Sequence, residues 1–76
     1  MKIIYDPETD TLTIRIKEVA ISESDELQEG VIADLDKSGN IVGLEILEAT
    51  KRVTEPHNII FESRGHNASR RKARTS

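Results

Sequence analysis

Asp34, Asp36, Ser38, Asn40 and Glu45 fall at the spacing of ligands in a calcium-binding loop. With Asp34 at position 1, Asp36 stands at 3, Ser38 at 5, Gly39 at 6, the Asn40 carbonyl at 7, Ile41 at 8 and Glu45 at 12, which fits the EF-hand pattern. The chemistry would be oxygen ligation of a hard divalent cation. The flanks oppose it: an entering helix would run through Gly30-Val31-Ile32 without an apolar stripe, and an exiting helix would begin in Ile41-Val42-Gly43, β-branched and then broken by glycine. A hairpin suits the same residues better. Val31, Ala33 and Leu35 alternate with Ile32, Asp34 and Asp36, and beyond Lys37-Ser38-Gly39-Asn40 the residues Val42, Leu44 and Ile46 alternate with Gly43 and Glu45. In that hairpin Asp34, Asp36 and Glu45 lie on the outward face, where three carboxylates could converge and hold a divalent ion such as calcium weakly. A solvated face with acids beside a turn is the plainer expectation.

Other reactive side chains offer less. His57 and His66 have no second ligand at metal spacing, and Ser22 and Ser24 sit among acids with no histidine in the front part of the chain to activate them. The glycines are scattered at 30, 39, 43 and 65, which excludes a phosphate-cradling loop. No catalytic constellation and no cofactor site emerges, and the expectation is that the protein is not an enzyme.

The elements that position these residues read mostly as strands. Lys2 to Asp6 forms a first strand, Asp6-Pro7-Glu8-Thr9-Asp10 a turn, and Thr11 to Lys17 a second strand with Leu12, Ile14 and Ile16 inward. Glu18 to Gly30 is predicted as a loop with at most one helical turn, pinned to the sheet by Val19, Ile21 and Leu27. The hairpin around Gly39 supplies strands three and four. Glu48 to Val53 contains good helix formers limited by Pro56, and Ile59-Ile60-Phe61 is an apolar patch that docks back or packs on a partner. The fold class expected is mainly β (α+β), a four-stranded antiparallel meander of two hairpins with a short C-terminal helix. Residues 1–53 form the domain and 54–76 an extension, whose end from Ser63 has too little apolar content to order alone and is expected to be flexible.

A chain of 76 residues without cysteine must stabilise a small core with neither disulfide nor thiolate metal site. With Tyr5 and Phe61 the only aromatics, the core is Ile, Leu and Val, and a homodimer or protein complex would supply the missing burial. No apolar run reaches the length of a membrane span and Lys2 to Tyr5 is too short for a signal sequence, so a cytoplasmic protein is expected. The formal charge of −3 is unevenly spread: twelve acids and six bases in residues 1–53 give −6, and two acids and five bases in residues 54–76 give +3. Arg70, Arg71, Lys72 and Arg74 in the tail could touch nucleic acid phosphates, but no aromatic is interleaved for stacking and the acidic body would repel the polymer.

Tyr5 to Ile14, then Gly30-Val31-Ile32-Ala33-Asp34, then Asp36, Gly39 and Ile41 to Ala49 together resemble the small prokaryotic proteins grouped as domain of unknown function 2283. The resemblance covers about residues 1–53. It implies a small β-meander with a terminal helix, and places Asp34, Asp36 and Glu45 in a hairpin pattern. Such proteins are often encoded beside small toxin-like proteins, which implies an antitoxin-like, partner-neutralising role. The functional expectation is therefore a non-enzymatic interaction module binding a basic, toxin-like protein, with Glu23, Asp25, Glu26 and Glu29 supplying long-range attraction.

Overall fold

The computed structural model describes residues 1–65, and the Arg70, Arg71, Lys72 and Arg74 cluster and His66 lie outside the described residues. Five antiparallel strands form one sheet: β1 (Lys2–Asp6), β2 (Thr11–Arg15), β3 (Glu23–Gln28), β4 (Val31–Leu35) and β5 (Ile41–Ile46), followed by α1 (Ala49–Arg52). The spatial order is β1-β2-β5-β4-β3, so β1 and β3 are the two edges. The mainly β class is as expected, but a four-stranded meander is not what forms. Among the described residues there are five strands, and β2 pairs with β5 rather than with the strand that follows it.

The segment Glu18 to Gly30, expected as a loop with a helical turn, contains β3 instead. Glu-Ser-Asp-Glu-Leu-Gln is poor in the β-branched and aromatic residues that mark strands. Its conformation is imposed by β4, whose free edge it satisfies through the register Glu23↔Leu35, Ser24↔Asp34, Asp25↔Ala33 and Glu26↔Ile32. The turn from β3 to β4 is Glu29-Gly30, with Gly30 at φ 81° and its N–H bonded to Glu26 Oε2 at 3.1 Å. Val19, Ile21 and Leu27 do not act as pins; all three are exposed.

The register sorts side chains into cross-strand rows. One face carries Ile3–Ile14–Leu44–Ala33 and Tyr5–Leu12–Ile46–Val31, the apolar rows on which folding relies. The other carries Lys2–Arg15–Gly43–Asp34–Ser24 and Ile4–Thr13–Glu45–Ile32–Glu26. A register shift between Asp34 and Leu35 leaves Val42 in a bulge, fully buried, with its carbonyl accepting from the N–H groups of both Ile16 and Lys17. These two hydrogen bonds to one carbonyl mark where the chain leaves β2 for the crossover toward β3.

The helix and the segment after it close one end of the apolar face. Ala49 and Pro56 are buried, and His57 meets Tyr5 edge to face with ring centroids 4.7 Å apart. Arg52 reaches back over the β3–β4 turn: its Nε donates to the Leu47 carbonyl at 3.0 Å, and its guanidinium lies where a side chain on Gly30 would stand. Ile59, Ile60 and Phe61 do not form a strand and are exposed, Phe61 at 88%.

Candidate functional site

Three clusters of polar side chains stand out. The first is the middle of the polar face. Asp34 is 2% exposed, the only buried charged or polar side chain among the described residues. The Ser24 hydroxyl donates to its Oδ1 at 2.8 Å, and its Oδ2 lies over Gly43, 3.2 Å from where a Cβ on that residue would sit. Glycine at 43 is what lets the carboxyl lie flat across β5. Glu45, one row along, shares a hydrogen bond with Asp34; that bond, its partial burial and the neighbouring negative charge raise the Glu45 carboxyl above the usual carboxylate range, while Arg15 acts the other way.

Asp34 and Glu45 are thus brought together, and Asp36 has separate work. Its Oδ1 accepts from the N–H groups of Ser38 and Asn40, both at 2.9 Å, and its Oδ2 from Asn40 Nδ2 at 3.2 Å. Backbone bonds from Asp36 N–H to the Asn40 carbonyl and from Gly39 N–H to the Asp36 carbonyl close the loop, with Gly39 at φ 86°. The Asn40 bonds and then that of Ser38 hold the Asp36 carboxyl below its ordinary range. A carboxylate built into its own turn has little coordinating capacity left. Among the described residues no group of three or more His, Cys, Asp or Glu is arranged to hold a metal ion.

The second cluster is Asp10. Its backbone has φ 54°, a left-handed conformation that aspartate tolerates better than most residues. Its Oδ1 accepts from the Tyr5 hydroxyl at 2.7 Å and the Thr50 N–H at 3.1 Å, its Oδ2 from the Thr50 hydroxyl at 2.7 Å, and its carbonyl from the Ala49 N–H at 2.9 Å. Glu48, at the N-cap position of α1, makes no side-chain cap. Asp10 caps the helix from the far end of the chain instead. The Tyr5 and Thr50 bonds lower the Asp10 carboxyl below its usual range, and the same bond with its charge raises the Tyr5 hydroxyl. Nothing local in the sequence joins Asp10 to Thr50; a turn aspartate opposite a helix lacking its own cap is the available signal.

The third is the β3 edge. Every residue of Glu23–Gln28 is exposed, and Glu23, Asp25 and Glu26 project from it with Glu29 following in the turn. Glu23 and Asp25 share one face and Glu26 takes the other. One physical role is already evident: charge and the register shift between Glu26 and Gln28 deter other strands from pairing here.

No helix among the described residues is long and apolar enough to cross a membrane. The family model described as protein of unknown function (DUF2283) matches residues 2–49, which takes in all five strands and the start of α1. No curated protein and no solved structure matches the chain.

Proposed function

The chain belongs to the DUF2283 family, and on that premise we propose a non-enzymatic protein-interaction module that receives a basic partner protein along its β3 edge. The observation that supports this is the fully exposed edge strand carrying Glu23, Asp25 and Glu26, with Glu29 beside it. The acids that repel ordinary strands are the groups that attract a segment rich in lysine and arginine. Long-range attraction from a front part with a formal −6 speeds the encounter, and the outward backbone groups of β3 supply directional bonds. The partner in the antitoxin-like form of this proposal is a small basic toxin-like protein, met in the cytoplasm.

An extended peptide alternating arginine and valine, titrated into isotopically labelled protein, tests the edge itself. Amide shifts confined to Glu23–Gln28, weakened by salt and lost in the Glu23→Lys, Asp25→Lys, Glu26→Lys triple variant, are the expected outcome. Shifts spread over other elements, or unaltered by charge reversal, would sink the proposal.

A further inference from the structure

The two edges of the sheet are built differently. β3 is defended by acids on both faces and by a register shift. β1 has neither defence: Lys2-Ile3-Ile4-Tyr5-Asp6 is regular along its whole register with β2, contains no proline, and carries charge only at its two ends. Ile3 and Ile4, on opposite faces, are both exposed, at 40% and 43%. A regular apolar edge of this kind is a template for another strand.

Its sequence specifies which strand. If β1 meets a second β1 antiparallel about a twofold axis through Ile4, Lys2 of one copy stands opposite Asp6 of the other at both ends. Ile3 then faces Tyr5 twice, and Ile4 faces Ile4. Opposite charges, an aliphatic beside an aromatic, and a central aliphatic pair are favourable cross-strand partners. The alternatives are worse: shifting the register by two residues leaves Lys2 opposite Ile4 in one direction and Ile4 opposite Asp6 in the other, and a parallel, in-register arrangement sets like charges together. We propose that the chain forms a twofold homodimer through β1, in the register Lys2 to Asp6, Ile3 to Tyr5 and Ile4 to Ile4, giving one continuous ten-stranded sheet with β3 at both outer edges. The apolar rows of the two copies then run into each other, Tyr5 of one row meeting Ile3 of the next, and the exposed sides of Ile3 and Ile4 are covered. This inference is independent of the basic-partner proposal, which concerns the opposite edge.

Light scattering across a concentration series of the full chain is expected to give twice 8.5 kDa at high concentration. Lys2→Asp sets two aspartates opposite Asp6 residues and is expected to weaken the dimer about tenfold, since the symmetry counts each like-charge pair twice. The double variant Lys2→Asp, Asp6→Lys is expected to restore it, with circular dichroism showing that each variant is folded. Because the protein has no cysteine, Ile4→Cys is a clean probe: mild oxidation is expected to cross-link it rapidly, while Ile41→Cys, exposed but on β5, is not. A monomer at every concentration overturns the proposal. So does a dimer indifferent to Lys2→Asp, or one in which both cysteine variants cross-link at the same rate.

Discussion

Replacing Gly43 with alanine perturbs the polar face at its tightest point. The new methyl would lie 3.2 Å from Asp34 Oδ2 and 3.3 Å from the Ile14 carbonyl oxygen. The carbonyl belongs to the backbone of β2, so it is the carboxyl that must move. Gly43 has no left-handed φ, so alanine brings no backbone strain and gains about 0.5–1 kcal/mol over glycine in a strand interior. Against this, Asp34 is 2% exposed, and swinging its carboxyl away breaks the 2.8 Å bond from Ser24. Losing a bond at a buried group costs about 1–3 kcal/mol. The net expectation is a destabilisation of about 1–2 kcal/mol from a total of roughly 4–11 kcal/mol for a domain this small. Thermal unfolding followed by circular dichroism should then show the midpoint lowered by about 5–15 °C. The decisive step is to repeat the substitution in an Asp34→Ala background. With no carboxyl to displace, alanine at 43 becomes neutral or stabilising, and the coupling between the two sites is about 1 kcal/mol or more. Additivity within about 0.5 kcal/mol would refute the claim that Gly43 exists to seat Asp34.

Glu45→Gln keeps a hydrogen-bonding group beside Asp34 without its titration. Because the Glu45 carboxyl is raised, it favours the fold while it holds its proton and loses that contribution as pH rises through its folded value; urea unfolding should show wild type losing stability relative to the variant across that rise. Asp10 and Asp36 are lowered, so their contributions are present above the ordinary carboxylate range and disappear as pH falls through their folded values; Asp10→Asn, which tolerates the left-handed backbone, should flatten that acid limb. Asp10→Gly relieves φ but removes the cap, and hydrogen exchange should show α1 losing protection while β4 and β5 keep theirs. Calcium should leave the Ser38 and Asn40 amides unshifted, because Asp36 already accepts from both. A selective shift there would show that the turn opens to admit the ion.

Period-two alternation of apolar and polar residue types made β2, β4 and β5 legible, and the short apolar run Ile3-Ile4-Tyr5 ahead of the Asp6-Pro7 turn marked β1. β3 was not, because an edge strand with both faces in water need not alternate, and its best signal is the single glycine of the turn that precedes β4. Strand order was hidden for a related reason: hairpins are local, whereas the match of Leu12 with Ile46 and Arg15 with Gly43 depends on shapes far apart in the chain. Of the acids singled out by spacing, Asp34 and Glu45 proved to be neighbours through facing strands, while Asp36 serves the backbone of its turn. Ser24 and Gly43 complete the Asp34 setting from strands on either side of it, β3 and β5, and the spacing of residues along the chain carries no sign of that arrangement.

The pairing of β2 with β5 has a kinetic meaning. The β1–β2 hairpin and the β3–β4–β5 unit can each begin to form from neighbours in sequence, yet neither half covers its apolar rows alone. Only when the seam between them closes are Leu12 and Leu44 drawn into one surface and Asp10 brought to the end of α1. Closing that seam costs loop entropy before it returns contacts, so it is the step expected to limit the folding rate. It also makes the crossover between Ile16 and Ser22 the place where the chain could be cut into two fragments that find each other again. Such fragments would reassemble along an edge that the intact protein never shows.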